Sequence, residues 1–183
     1  MQLDWSASPR EPIALAAGPR TDLFSDPGGG EPVLNAPMLL GATEGDFVLS
    51  ARVRADLRAT FDAGALVLHA GDATWAKLAL ERSPRGEATI VSVVTRGVSD
   101  DANGPVVAGD GVWLRVACIG GACALHASAD GERWDLVRHF ALDASAGLAA
   151  GFLAQSPTGD GCTATFDEIA FAARTLADLR DGR

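Results

Sequence analysis

The chain has 183 residues, 48% of them hydrophobic, and 24 acidic side chains against 15 basic ones give a formal charge of −9. That length is enough for one domain with a substantial core. No Lys/Arg cluster interrupts the acidic balance, so a nucleic-acid duplex or an anionic membrane surface is repelled and neither is expected as a partner.

Residues 1–35 read as irregular. Trp5 follows a candidate first strand, Ile13–Ala17 is a brief apolar run, and Thr21–Pro27 leads into Gly28-Gly29-Gly30. The triple glycine lacks the spacing and the following Lys-Ser/Thr of a phosphate-binding loop, and marks a surface loop instead. From Asp46 the pattern becomes regular: Phe47, Leu49, Ala51 and Val53 alternate with Val48, Ser50, Arg52 and Arg54, as in a half-buried strand. The segment from Asp62 to Glu81 reads as a hairpin around Gly71–Thr74. In its second strand Trp75, Lys77 and Glu81 share one face, and Ala76, Leu78 and Leu80 the other.

Pro84–Gly86 makes a turn, and the β-branched run Ala88–Thr95 is a strand. Residues 97–111 read as a long polar loop with a short strand at Val106-Val107. Val112–Cys118 alternates again, with Trp113 and Arg115 on one face. Gly120-Gly121 turns the chain into Ala122–Ala127, and Asp130-Gly131 is a strong hairpin signal. Trp134–Leu142, Leu148–Ala154 and Cys162–Phe171 supply further strands. The tail, about 173–183, is expected to hold a short helical turn, because Leu176 and Leu179 stand three apart.

Strands at roughly 8–12-residue spacing, without any segment periodic enough for a crossover helix, predict an all-β fold. The expected architecture is a two-sheet antiparallel sandwich spanning 1–183 as a single domain. Of the three cysteines, Cys118 and Cys123 flank Ile119–Ala122, a spacing that allows them to face each other across a hairpin; reduced, partly buried thiols are expected, with a cross-strand disulfide as the alternative. The N-terminal Met1–Trp5 lacks a basic-then-apolar leader pattern, which together with reduced thiols points to a cytoplasmic address.

Two patterns bear on chemistry. Trp75, Lys77 and Glu81 with Trp113 and Arg115 would form one ligand face if their strands lay together, an aromatic platform beside hydrogen-bonding charges suited to a sugar. Thr95 lies near it, with Ser99 and Asp100 at a loop rim. The acidic run Ser99–Gly104 has the composition of a calcium loop without the spacing of an EF-hand, so no cofactor is expected and Ca2+ is the alternative. Glu81 has no carboxylate at i±2 or i±4 on its own strand, which counts against a glycosidase with both acids on one strand. No metal-site, Cys-x-x-Cys or nucleophile-elbow motif occurs.

The ordered set Asp62-x-Gly64, Trp75-x-Lys77-x-x-x-Glu81, Val94-Thr95, Ser99-Asp100, Trp113-x-Arg115, Ser128-x-Asp130-Gly131-x-x-Trp134, Arg138, Ser156-Pro157 and Phe166-Asp167 resembles a known family. It is similar to the concanavalin A-like domains grouped with the regulator-of-enolase protein, related to the C-terminal sandwich of β-xylosidases. The resemblance runs from Thr21 to Phe171 and implies a jelly roll whose concave sheet receives carbohydrate in the wider superfamily, with no established activity. Asp101 departs from it, standing where the family tends to have an aromatic, and Ala65 replaces a bulkier aliphatic. The expected function is a non-catalytic module binding a carbohydrate or another small polar ligand. The alternatives are an enzyme acting on a glycan or sugar phosphate, with Glu81 as general acid or base, and a protein-interaction domain.

Overall fold

The alternation of apolar and polar residues sets the strands of the computed structural model, which describes residues 2–6 and 8–183. Met1 and Ala7, both inside the segment expected to be irregular, lie outside the described residues. Along the chain run β1 (Ile13–Ala17), β2 (Leu23–Phe24), β3 (Val33–Leu34), β4 (Met38–Thr43), β5 (Phe47–Ala55), β6 (Ala63–His69) and β7 (Thr74–Arg82). Then come β8 (Ala88–Arg96), β9 (Val98–Val106), β10 (Val112–Ile119), β11 (Ala122–Ser128), β12 (Asp135–Ala141), β13 (Leu148–Gln155) and β14 (Cys162–Ala172). Among the described residues there is no α-helix.

Two six-stranded antiparallel sheets stack face to face. The first has the order β1-β14-β5-β10-β11-β12 and the second β4-β13-β6-β7-β8-β9. Phe47, Leu49 and Val53 of β5 and Leu114 and Val116 of β10 meet Leu66, Leu68, Leu78, Leu80, Ile90 and Phe152 of the second sheet in the inter-sheet core. For Phe47, Leu49, Val53, Leu78, Leu80, Leu114 and Val116 a period of two had predicted this shared face, and the expected sandwich is the observed one. Gly64 serves close approach between the layers: a Cβ there would sit 2.7 Å from Ala164 Cβ of the opposite sheet. One end of the sandwich is aromatic, with Trp5 stacked on Phe171 at 4.7 Å and Phe171 on Phe47 at 5.6 Å.

Several local expectations are corrected. Residues 98–106, expected to be mostly loop, form the edge strand β9 on β8. An edge strand needs backbone partners on only one side and keeps polar side chains in solvent, so a polar sequence suffices. Residues 13–17, inside the segment expected to be irregular, form β1, an edge of the first sheet, and residues 38–43 form β4, the other edge of the second. Cys118 and Cys123 are opposed in the β10–β11 ladder and form a disulfide, their Cα atoms 4.1 Å apart. The hairpin register, which spacing alone left open, brings the two sulfurs together, and the cytoplasmic expectation loses one of its two supports.

The tail has no helical turn. Leu176 and Leu179 pack on Val48, Ala117 and Ile119, across the outer face of the first sheet. Arg115 Nη2 donates to Gly182 O at 2.9 Å, and His126 Nε2 donates to Leu179 O at 2.7 Å. The carboxylates of Asp178 and Asp181 accept from the backbone N–H groups of Arg180 and Arg183, bonds that compete with a helix.

Gly151 tests the β4–β13 register. A Cβ at this position would lie 2.0 Å from Leu39 O, a backbone atom that moves only if the ladder opens. Gly151→Ala is expected to cost at least the ~1–3 kcal/mol of core overpacking and to lower the melting temperature by roughly 5–10 °C, read by circular dichroism. An unchanged melting temperature contradicts the register. Reducing the Cys118–Cys123 bridge, which closes a short loop, is expected to cost about 2 kcal/mol. A thiol titration of the native protein should find none reactive, because Cys162 is buried and burial pushes its thiol up to about 12. Two reactive thiols in the native state would show the bridge absent.

Candidate functional site

Strand β7 carries the chemistry because its outward face breaks the apolar rule. Ala76, Leu78 and Leu80 point into the inter-sheet core, while Trp75, Lys77, Ala79 and Glu81 point away from it. In register beside them on β8 stand Thr95 opposite Trp75, Val93 opposite Lys77 and Val91 opposite Ala79. On β9, Asp101 faces Val93 and Ser99 faces Thr95. These residues form one outer face of the second sheet.

A strap made of residues 21–36, including the β2–β3 ribbon, lies over this face. Leu23 and Ala36 pack on Ala63, Ala65, Val67, Trp75, Ala79, Val91 and Val93 in a second small core. Ser99 Oγ accepts from Ser25 N at 2.9 Å and lies 2.8 Å from Thr95 Oγ1, while Ser25 Oγ donates to Gly97 O. Lys77 fixes the strap further along. Its ammonium, 2% exposed, donates to Leu23 O (2.8 Å), Gln155 Oε1 (2.7 Å) and Asp22 Oδ1 (3.3 Å). Three donors meet three acceptors, so the hydrogen-bonding capacity of the buried ammonium is fully used.

Beside the strap the face stays open as a pocket of about 380 Å3, lined by Asp22, Phe24, Asp26, Phe61, Lys77, Glu81, Val91, Val93, Asp101, Gln155, Pro157 and Thr158. Phe61 is 39% exposed and holds a left-handed backbone, with φ of 70°. Such a conformation is costly for an aromatic residue. Two hydrogen bonds keep it there: Phe61 N donates to Arg82 O at 2.8 Å, and Gln155 Nε2 donates to Phe61 O at 3.1 Å. Gln155 thereby links the lysine to the aromatic wall.

Glu81 lies in this pocket with only 8% of its surface exposed, and no donor among the described residues hydrogen-bonds its carboxylate. Burial pushes its carboxyl up to about 7; Lys77 opposes the rise, and Asp22 and Asp101 add to it. At neutral pH it is divided between acid and carboxylate, so it donates or accepts a proton readily.

The residues singled out by sequence separate into three groups. Lys77 and Glu81 line the pocket. Trp75, Thr95 and Ser99 share their sheet face but are buried beneath the strap, Trp75 completely, so the Trp75 ring offers no platform. Asp100 turns the other way from Asp101 and pairs with Arg138 of β12 at 2.8 Å, a hydrogen bond that holds its carboxyl below the usual range. With alternate residues on opposite faces of β9, the acidic run does not make the loop expected as a calcium alternative.

Trp113 and Arg115 belong to the first sheet, because β10 pairs with β5 and β11. They face outward on the opposite side of the sandwich, so the five-residue ligand face does not exist. Trp113 Nε1 donates to Glu168 Oε2 at 3.1 Å under the guanidinium of Arg52. Arg115 stacks on Trp134 at 4.3 Å beneath the tail, and burial pulls its guanidinium down to about 10. Buried beside it, His126 is held down to about 4.

Sequence reasoning did not assign Asp22, Phe24, Asp26, Phe61, Asp101, Gln155 or Thr158 to the site. Gln155 carried one signal, a lone amide closing the apolar run from Leu148. The others sit on the strap, on loops or on an edge strand, where polar residues are ordinary. A larger cavity of about 550 Å3 opens between β9 and β12, but Asp135 is its one titratable lining residue. Among the described residues, no three His, Cys, Asp or Glu side chains group to hold a metal ion.

Known proteins place this architecture. A structure titled as a functionally unknown protein from Saccharomyces cerevisiae is 26% identical, with 93% of each chain covered and a TM-score of 0.83. A mutant of the GH43 protein BlXynB from Bacillus licheniformis matches at 16% identity, TM-score 0.72, over 89% of this chain and 33% of that one. A xylan β-1,4-xylosidase from Bacillus halodurans C-125 matches at 14% identity, TM-score 0.71, over 86% and 32%. The chain thus spans about a third of each of the latter two, and at that identity the likeness is one of fold. No curated protein matches the chain. Residues 3–174 match the model of a family described as protein of unknown function (DUF1349), and the chain belongs to that family.

Proposed function

We propose that this protein is a binding module whose pocket on the outer face of the second sheet takes a small polyhydroxylated, carbohydrate-like ligand. The observation that carries this reading is Glu81, a residue only 8% exposed whose carboxylate faces the pocket and accepts from no donor among the described residues. A bound hydroxyl supplies the missing donor. Asp101 and Thr158 add hydrogen-bonding groups at the rim, and Phe24 and Phe61 offer rings against which the C–H faces of a sugar pack. The fold shared with part of a xylan β-1,4-xylosidase is consistent with this reading. A second reading, a sugar-acting enzyme with Glu81 as general acid or base, is favoured by the carboxyl's value near 7.

The raised carboxyl makes stability depend on pH in a defined direction. Below about 4.5, Glu81 is protonated in both the folded and the unfolded chain and there is no penalty. Between about 4.5 and 7 the folded state holds the extra proton, so stability falls as pH rises, and above about 7 the full cost of the buried charge is present. That cost is on the order of 3 kcal/mol. Glu81→Gln is therefore expected to raise the melting temperature by several degrees at about pH 8 and to leave it unchanged at about pH 4. Equal shifts at both pH values would show the carboxyl to be unperturbed.

A thermal-shift panel of mono- and disaccharides tests the function directly, because a ligand of the folded state raises stability by mass action. The expected result is a sugar-dependent shift that Glu81→Gln weakens. A flat panel together with a stoichiometric protein partner would overturn the proposal in favour of an interaction domain. Turnover of a bound sugar, lost in Glu81→Gln with binding retained, would favour the enzyme.

A further inference from the structure

We propose that the pocket selects a sugar bearing a positively charged amine over neutral and anionic sugars of the same shape. This deepens the binding-module reading and rests on it.

Four carboxylates line the pocket, those of Asp22, Asp26, Glu81 and Asp101, against the single ammonium of Lys77. Lys77 is already matched: it is ion-paired with Asp22, and its other two protons go to Leu23 O and Gln155 Oε1. It has no donor left for a ligand. Glu81, Asp26 and Asp101 are in no salt bridge among the described residues, and no other basic side chain lines the cavity. Within the low-dielectric walls built by Val91, Val93, Phe24 and Phe61, that unbalanced negative charge is screened less than it would be in open solvent.

Three chemistries compete for such a site. A sugar phosphate or a uronic acid adds negative charge to carboxylates and meets no free cation. A divalent metal ion needs a converging set of oxygen ligands, and the described acidic side chains form no such group. A primary ammonium suits the site better. It supplies up to three donors to Glu81 and Asp101, and its adjacent CH2 and its charge fit the rings of Phe24 and Phe61. Its hydroxyl-bearing body occupies the remaining space, and a cavity of about 380 Å3 holds a monosaccharide with room for a second ring. Glu81 is the buried, unpartnered acceptor that makes this more than a cluster of surface acids.

The test uses the full chain and three hexoses that differ at one position: glucose, glucose with an amine in place of its terminal hydroxyl, and glucuronate. Titration calorimetry is run at about pH 8, above the Glu81 value and below the ~10 of an alkylammonium. The amine is expected to bind about tenfold or more tightly than glucose, and glucuronate more weakly than either. Asp101→Asn, at an exposed edge position that the fold does not need, and Glu81→Gln are each expected to weaken the amine by a several-fold larger factor than they weaken glucose, so that the ratio of the two affinities shrinks. The advantage should shrink in about 0.5 M salt.

Glucose or glucuronate binding as tightly as the amine overturns the charge selection and leaves the binding module standing. Cyclohexylamine binding as tightly as the amino sugar, or no sugar binding at all, overturns both. An amine preference unchanged in both variants also overturns the proposal, because the charge would then come from elsewhere.

Discussion

A buried ammonium ion organises the second sheet. Lys77 is enclosed between β7 and the strap, and a side chain of the strap, a backbone carbonyl of the strap and an amide of β13 converge on its ammonium. Each of those acceptors is held in turn by something else. Gln155 uses its other end to hold Phe61 in its left-handed turn, and Leu23 anchors the small core beneath the strap. Removing any one acceptor leaves a desolvated charge, so this part of the molecule is cooperative although it lies outside the main core.

The same local solution occurs on the other side of the sandwich. Trp113-x-Arg115 on β10 repeats Trp75-x-Lys77 on β7, and the structure gives both the same role. In each case the basic side chain is buried beneath a segment that is not part of the main sheets and donates to one of its carbonyls, Leu23 O for Lys77 and Gly182 O for Arg115. The shared pattern marks two anchors, one for an N-terminal strap and one for a C-terminal tail. What differs is how far the covering extends. The tail closes over Arg115 and His126, whereas the strap stops short of Glu81 and leaves the pocket open.

This difference explains how much of the molecule was legible in the sequence. Alternation along β5, β7 and β10 identified the inward residues, because burial between two sheets imposes a strict period of two. It also identified Lys77 and Glu81 as outward residues on one strand. It could not say which sheet each strand joins, and that decision separated Trp113 and Arg115 from Trp75. The edge strand β9 escaped notice for a physical reason: it is held by backbone hydrogen bonds on one side and needs no apolar face. Asp101 therefore passed as a loop residue, although β9 aims it at the pocket and turns Asp100 away. Phe61 and Asp22 gave no signal, because a left-handed turn and a strap contact depend on partners far along the chain.

The pocket also divides its labour between two kinds of structure. Its floor, Lys77, Glu81, Val91 and Val93, belongs to strands at the centre of a hydrogen-bonded sheet and is fixed by register. Its walls come from the strap, from the turn holding Phe61 and from the loop at Pro157 and Thr158. A substitution in the floor disturbs two neighbouring strands, while one in the walls disturbs only a surface segment. Within this one fold, the shape of what is accepted is thus free to drift along the rim while the charge at the base stays constant.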